Sequence, residues 1–183
     1  KLEKSKKFDL LDRMLKIRNM ANLISIRQKQ PLGLGHAIWC SKKVVGDNPF
    51  AVLLGDEIMI ADKDQLTSIE TLSRRFEETQ KTTVAVMKVD DKDVSKYGIA
   101  ETNEIQSGYF KVNGFIEKPK PTQTKSRWAL PGRYVFDPKI FDYLSNAKPG
   151  LNGEIQLTDS MNELSKSDDV FASSFECTRY DAG

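Results

Sequence analysis

Two aspartates lie where predicted strands end, and together they could hold a divalent metal ion. Asp56 follows the apolar run FAVLL, and Asp181 follows the segment VFASSFECTRY near the end of the chain. Carboxylate oxygens are ligands that Mg²⁺ accepts from proteins, and the ion usually completes its coordination with phosphate oxygens of a substrate. Either aspartate alone could belong to an ordinary turn. The pair predicts a magnesium site only if the fold brings both residues to one place.

A second candidate site is the triplet Glu117-Lys118-Pro119, which closes the predicted strand GFI. A carboxylate can accept hydrogen bonds from sugar hydroxyls, and an ammonium group can meet a phosphate. The alternative is structural, because Pro119 has no N–H to donate to a sheet and helps to end the strand. The triplet alone leaves both interpretations open.

The stretch QKQPLGLGHA resembles a phosphate-binding loop but lacks its decisive residues. It has neither the third glycine of a dinucleotide fingerprint nor the Gly-Lys-Ser/Thr of a P-loop. The amide of Gln28 offers a donor and an acceptor, which match the imide edge of a pyrimidine base. Gly33 would let the backbone approach the ring, and a helix beginning near Gly35 would add N–H groups. A simple left-handed turn between a strand and a helix is the alternative.

Composition argues against several classes of protein. The 183 residues carry a net charge of +2 without a basic stripe, so we expect no nucleic-acid partner. No apolar run approaches the ~18 residues of a membrane span, and we expect no membrane contact. Cys40 and Cys177 lack metal-binding spacing, which favours free thiols in a reducing cytoplasm. His36 is the only histidine, and no nucleophile elbow accompanies it, which argues against a Ser-His-Asp mechanism.

The order of elements predicts an α/β fold. Hydrophobic spacing and apolar runs predict an alternation of helices and strands up to Val89: helix 6–19, strand 22–28, helix 36–46, strand 50–54, helix 68–80 and strand 82–89. Such an alternation is typical of a parallel sheet with right-handed crossovers. Beyond Asp90 the segments YGIAET, GYFKV, NGFIEK and RYVFD predict short strands of an antiparallel insertion. We expect a mixed, mostly parallel sheet flanked by helices, with this smaller antiparallel insertion.

Six motifs occur together in the order and spacing of bacterial glucose-1-phosphate uridylyltransferases, and the chain resembles that family over nearly its whole length. The motifs are GLGHA, LLGDEI, YGI, IEKPKP, GRYVF and GEIQLTD. The resemblance implies the glycosyltransferase-A-like, Rossmann-like fold of sugar nucleotidyltransferases. It also implies the conversion of UTP and glucose 1-phosphate into UDP-glucose and pyrophosphate, with Mg²⁺ as the cofactor.

The resemblance assigns a role to each candidate residue on the nucleotide side. Gln28 and Gly33 match the pair that recognises uracil. Asp56 resembles the magnesium ligand beneath the α-phosphate, and Asp181 falls where the wider superfamily has a second metal-binding aspartate. Residues 1–89 would then form the nucleotide-binding part of a single catalytic domain.

On the sugar side, residues 90–183 would bind glucose 1-phosphate. Gly98 and Glu117 match positions that contact the glucose, and Lys118 matches the lysine that meets the sugar phosphate. Glu154 and Asp159 belong to a family motif for which we expect helix capping and subunit packing, since the family usually assembles as homodimers or homotetramers.

The chain also departs from the family pattern. The glycine-rich segment that embraces the triphosphate would precede Lys1, and C-terminal helices would follow Gly183. We therefore expect an internal fragment with little activity of its own, whose open sheet edge favours aggregation or strand exchange. Two other functions stay open at this point: a thymidylyltransferase acting on a hexose 1-phosphate, and a non-catalytic module that binds nucleotide sugars.

Overall fold

The computed structural model describes residues 7–182. Its helices are α1 Phe8–Met20, α2 Leu34–Trp39, α3 Lys42–Val45, α4 Ser68–Thr79, α5 Ile140–Asn146 and α6 Leu157–Ser167. Its strands are β1 Phe50–Leu53, β2 Glu57–Ile60, β3 Thr83–Lys88, β4 Gly98–Gln106, β5 Tyr109–Glu117, β6 Trp128–Ala129, β7 Arg133–Phe136, β8 Phe171–Ser174 and β9 Thr178–Asp181. Short 3₁₀ turns span Asp91–Lys96 and Leu151–Gly153.

Seven strands form one mixed sheet in the order β1-β7-β3-β6-β4-β5-β8, and β3 also pairs with β8. The β3–β8 pairing is parallel, whereas the other pairings in the described part of the chain are antiparallel. The predicted mixed sheet with flanking helices is confirmed, but the expected predominance of parallel pairing is wrong. β1 and β3 do run in the same direction, yet the antiparallel β7 lies between them.

Strand β3 forms the centre of the core and is covered on both faces. Val84 and Val86 face one cluster, to which α5 and α6 contribute Ile140, Phe141, Leu157, Met161 and Leu164. Ala85 faces the other cluster, where it packs with Leu72 and Phe76 of α4. Because side chains alternate along a strand, a fully apolar run is required when both faces are buried. The predicted buried strand 82–89 and the helix 68–80 are therefore confirmed.

Several predicted elements differ in the structure. The predicted helix 36–46 is divided into α2 and α3, and the segments GYFKV and NGFIEK form the single strand β5. Residues 21–33 form no strand, and Leu23 and Ile24 are 90% and 69% exposed, because no other described segment pairs with this backbone. The predicted strand FAVLL forms as β1, but Ala51 and Leu53 are exposed rather than buried, since only the face with Phe50 and Val52 packs against the core. Helix α1 forms as predicted, although it buries none of its residues.

A second, two-stranded sheet pairs β2 with β9 in antiparallel fashion. It joins segments about 120 residues apart in sequence and carries Asp56 and Asp181 at one end. Among residues 7–182, no helix combines the length and the apolar character needed to cross a bilayer.

Candidate active site

The two candidate metal ligands lie at the same end of the β2–β9 sheet. Asp181 is the register partner of Glu57, and the Ala182 N–H donates to the Asp56 carbonyl over 2.8 Å. Both aspartates line one cavity of about 390 Å³. The fold therefore brings together two acidic residues that are 125 positions apart, as the sequence analysis required. That they share one cation stays a prediction.

A buried ion pair holds this sheet in place. Glu57 is only 8% exposed, and both of its carboxylate oxygens accept hydrogen bonds from Arg179, with an Nε–Oε2 distance of 2.6 Å. Arg179 Nη2 also donates to Tyr97 Oη and to Asp181 Oδ2, each over 3.1 Å. The hydrogen bond to Glu57 is the main cause that raises the pKa of Arg179 above its ordinary value. The guanidinium thus links the buried carboxylate to the candidate metal ligand.

Arg133 anchors the β2–β9 sheet to the main seven-stranded sheet. Its guanidinium donates to the carbonyl of Leu54 over 3.0 Å and to the carbonyl of Glu57. Arg133 lies on β7 and is almost fully buried. A buried arginine needs acceptors for its N–H groups, and here backbone carbonyls provide them. The loop that carries Asp56 is therefore fixed at both of its ends.

The sugar-side candidates line the same cavity. Gly98 begins β4 and pairs with Glu117 at the end of β5, and both line the cavity together with Lys118. Thr158 Oγ1 donates to Glu117 Oε2 over 2.6 Å. A Cβ on residue 98 would lie 2.9 Å from Thr158 Oγ1, so glycine is needed to let this pair approach the strand.

Lys118 adopts a backbone conformation that is rare for a residue with a side chain. Its φ of +41° lies in the left-handed region. Its N–H donates to the Tyr97 carbonyl over 3.1 Å, and its Nζ is 3.9 Å from Glu117 Oε1. Strained conformations of this kind cluster at binding and catalytic sites. The strain supports a functional interpretation of Lys118 over a mere strand end.

Gln28 and Gly33 contact each other but stand beside the cavity rather than in its wall. Among the described residues, the lining includes Leu34 but neither of these two. Gln28 Nε2 donates to the Gly33 carbonyl over 3.1 Å. Gly33 has φ +90° and ψ 176°, a combination open almost only to glycine, and a Cβ there would lie 2.8 Å from Glu154 Cβ. Packing against Glu154 is therefore sufficient to require glycine at position 33.

The expected helix-capping role of Glu154 and Asp159 is wrong. The N-cap of α6 is Gln156, and no side chain caps the helix. Glu154 instead accepts a hydrogen bond from Gln156 Nε2 over 3.1 Å, while Asp159 lies in the first turn of α6. Asp159 also lines a separate cavity between α5 and α6, where burial raises the pKa of its carboxyl group. Their expected part in subunit packing stays a prediction.

The donor set at Asp56 and Asp181 fits Mg²⁺. Within residues 7–182 no three His, Cys, Asp or Glu side chains form a group that could hold a metal by themselves. A site with two carboxylates is nevertheless typical of Mg²⁺, which prefers hard oxygen ligands and takes the remainder from water and substrate phosphates. The two aspartates would hold the ion where a phosphate can enter the cavity.

Three residues with clear roles in this geometry were not found from the sequence. They are Tyr97, Thr158 and Arg179, of which Tyr97 and Thr158 line the cavity. Tyr97 and Thr158 lie inside the motifs YGI and GEIQLTD, so those motifs were the available signal. Their function depends on contacts between elements distant in sequence, which spacing alone does not reveal.

Comparison with known proteins shows the family to which the chain belongs. A sequence profile described as nucleotidyl transferase matches residues 2–180. The chain belongs to this family. It is 43% identical over its whole length to UTP–glucose-1-phosphate uridylyltransferase 1 of Staphylococcus saprophyticus, of which it spans 62%.

Solved structures of nucleotidyl transferases confirm the expected Rossmann-like fold. The structure of a UDP-glucose pyrophosphorylase in complex with UDP-glucose has a TM-score of 0.90 and 34% identity, with 97% of this chain and 67% of that chain covered. The UTP-bound enzyme from Acinetobacter baumannii has a TM-score of 0.86 and 36% identity, with 99% and 62% covered. The resemblance to uridylyltransferases is thereby confirmed, for a chain that spans about 62% of the curated relative's length.

Proposed function

We propose that the full-length protein transfers the uridylyl group of UTP to glucose 1-phosphate, producing UDP-glucose and pyrophosphate. The observation that carries this proposal is the single cavity into which Asp56, Asp181, Gly98, Glu117 and Lys118 are brought from separate parts of the chain. The likeness to proteins named for this reaction, and to structures containing UDP-glucose or UTP, supports it.

The wall formed by Gly98, Glu117 and Thr158 would bind the glucose. Thr158 holds one carboxylate oxygen of Glu117 over 2.6 Å, which fixes the direction of the other oxygen. A carboxylate oxygen can accept hydrogen bonds from the hydroxyls of a sugar. The absence of a side chain on Gly98 lets Thr158 and Glu117 pack against the strand at this point. Residues 90–183 would accordingly be the sugar-binding part.

The chemistry would be an in-line displacement at phosphorus. An oxygen of the sugar phosphate attacks the α-phosphorus of UTP, a new P–O bond forms, and the bond to pyrophosphate breaks. No covalent intermediate with the protein is needed, so the chain contributes positioning and charge. Lys118 would hold the attacking phosphate by electrostatic attraction. When bound by Asp56 and Asp181, Mg²⁺ supplies positive charge to the crowded phosphate oxygens.

The nucleotide would enter from the side of α2. Leu34, the first residue of α2, lines the cavity, and Gln28 and Gly33 lie directly beside it. Uracil would be recognised there by the Gln28 amide and the nearby backbone. Residues 1–89 would then be the nucleotide-binding part, with Asp56 as its contribution to the metal site.

The location and assembly of the protein are also part of the proposal. Cys40 and Cys177 are free thiols, which supports a cytoplasmic location. Homodimers or homotetramers would follow from the family pattern, and light scattering on the full-length protein measures this directly. A monomer at micromolar concentration would contradict the assembly.

The test is turnover by the full-length protein. With UTP, glucose 1-phosphate and Mg²⁺ we expect release of pyrophosphate and formation of UDP-glucose. Asp56→Asn should lower the rate about 10²–10³-fold, the usual cost of removing a preorganised charge. A preference for dTTP in competition with UTP would instead support the thymidylyltransferase. Binding of UDP-glucose without turnover would support the non-catalytic module.

A further inference from the structure

The hydrogen bonds of Gln28 determine how its amide is oriented. Its Nε2 is 3.1 Å from the Gly33 carbonyl oxygen, an atom that can only accept a hydrogen bond. The atom facing Gly33 must therefore be the NH₂ group and not the amide oxygen. The same nitrogen is 2.9 Å from Nδ1 of His36. Since both N–H groups of Gln28 are donors, Nδ1 of His36 must accept this hydrogen bond.

The ring of His36 is itself held in place. It lies on α2, stacks on Trp39 with ring centroids 6.0 Å apart, and has Cys40 Sγ 3.9 Å from its Nε2. Gln28, by contrast, lies in a segment without regular structure. Helix α2 therefore presents the His36 Nδ1 acceptor to the side chain of Gln28, whose backbone belongs to no helix or strand. The helix thus adds a second contact to the one that the Gly33 carbonyl makes with the Gln28 amide.

The arrangement leaves Gln28 with one group for a base. The carbonyl of Gly33 and the ring of His36 occupy both N–H groups, so the remaining group is the Oε1 acceptor. Uracil carries an N–H at position 3, which Oε1 can accept. Cytosine carries a lone pair at that position, and Oε1 would face it without a proton between them. The sequence analysis expected a donor and an acceptor from Gln28, whereas the structure presents the acceptor alone.

We propose that His36 is a positioning residue that makes the site select uracil over cytosine by occupying the second N–H of Gln28. This inference rests on the proposed function. Without the His36 acceptor, the Gln28 amide is held by the Gly33 carbonyl alone, so it can turn over more easily and present its NH₂ group to the lone pair of cytosine. A buried site that pairs its groups with one base and leaves them unpaired with another discriminates through that difference. Removing the pairing therefore weakens the selection.

The test compares UTP with CTP in the full-length protein and its variants. His36→Phe keeps a flat ring against Trp39 but removes the acceptor. We expect the KM for UTP to rise about ten-fold with little change in kcat, and the preference for UTP over CTP to fall about ten-fold, the equivalent of one hydrogen bond. His36→Asn places an amide oxygen close to the former Nδ1 and should restore the preference. His36→Leu serves the same purpose as the Phe variant if the latter does not fold.

Two controls separate this role from general packing. Cys40→Ala removes the neighbour of the ring on α2 without touching Gln28, and we expect the preference to stay unchanged. In a Gln28→Ala background, His36→Phe should have no further effect, because the two residues act as one unit. A Phe variant that retains the full preference for UTP would overturn the inference. A wild-type protein that neither binds nor uses UTP would overturn the proposed function instead.

Discussion

Thr158, in the first turn of α6, donates a 2.6 Å hydrogen bond to Glu117 at the end of β5. The acceptor is a carboxylate, and hydrogen bonds to charged groups are stronger than those between neutral ones. The contact joins the motif GEIQLTD to the motif IEKPKP across 41 residues of sequence. It also fixes the carboxylate at the cavity wall, where the Lys118 Nζ lies 3.9 Å from the other oxygen, Oε1.

Replacing Thr158 should therefore affect the sugar more than the nucleotide. Thr158→Val keeps the shape of the side chain and removes the hydroxyl, so Glu117 loses its orienting donor. We expect the KM for glucose 1-phosphate to rise about ten-fold or more, which corresponds to a hydrogen bond with a charged group. The KM for UTP should change less than three-fold. Thr158→Ser retains the hydroxyl and is the matched control; equal defects in the Ser and Val variants would contradict the prediction.

Lys118 should show opposed effects on stability and activity. Its φ of +41° is costly for any residue except glycine. Lys118→Gly and Lys118→Ala both remove the ammonium group, and each should lower turnover about 10²–10³-fold. Only the Gly variant relieves the backbone strain, so its free energy of unfolding should exceed that of the Ala variant by about 1 kcal/mol. Denaturant titration measures this difference, and equal stabilities would argue against a strained Lys118.

Arg179 should be required for the stability of the β2–β9 sheet. Arg179→Met leaves the carboxylate of Glu57, which is 8% exposed, buried without its partner. Breaking a buried ion pair from one side costs about 3 kcal/mol or more. The double variant Glu57→Gln with Arg179→Met removes both charges and should recover much of this loss. If the single and the double variants unfold at the same denaturant concentration, the two residues are not coupled.

Asp168 should make the free energy of unfolding depend on pH in the acid range. Burial alone would raise the pKa of its carboxyl group, but hydrogen bonds from Lys81 at 2.5 Å and Lys139 at 2.9 Å outweigh this effect and lower the pKa from 3.8 to about 2. A pKa that is lower in the folded state stabilises the fold above pH 3.8, and that contribution is lost as the pH falls toward 2.

The corresponding experiment is denaturation of Asp168→Asn at several pH values. We expect a loss of about 2 kcal/mol at pH 7, and the difference from the wild type should shrink between pH 4 and pH 2. Asp169→Asn is the control, because Asp169 pairs with Lys111 over 2.8 Å with both side chains half exposed. Such an exposed pair contributes less than about 1 kcal/mol. A pH-independent effect of Asp168→Asn would contradict the assignment.

Much of the fold could be predicted because it depends on local patterns. The spacing of Ile69, Leu72 and Phe76 predicts α4, and the continuous apolar run 82–89 predicts the central strand. The strand expected at 22–28 does not form, because a strand needs a partner and periodicity cannot supply one. For the same reason β2 was missed, since its partner β9 is about 120 residues distant.

The acidic residues of the candidate site could be predicted from the sequence. The residues that hold those acidic side chains in place could not. Asp56, Glu117 and Asp181 are acidic residues at strand ends, a pattern visible in the sequence, and all three line one cavity. Thr158 and Arg179 contact the side chains of Glu117 and Glu57, which belong to strands β5 and β2. The spacing of residues in the sequence does not reveal these contacts. The sequence indicates only that His36 is not part of a Ser-His-Asp mechanism. Its contact with Gln28 depends on the turn at Gly33 and is seen only in the structure.

The pairing of β2 with β9 has a consequence for the positions of the two aspartates at its end. Because Asp56 and Asp181 flank one ladder of backbone hydrogen bonds, and Arg133 anchors the β2–β9 sheet to the main sheet, the backbones of both aspartates are held by one set of contacts. Arg179 extends these contacts to Tyr97, whose carbonyl accepts a hydrogen bond from the Lys118 N–H. Loss of the β2–β9 pairing would therefore displace both acidic residues at once.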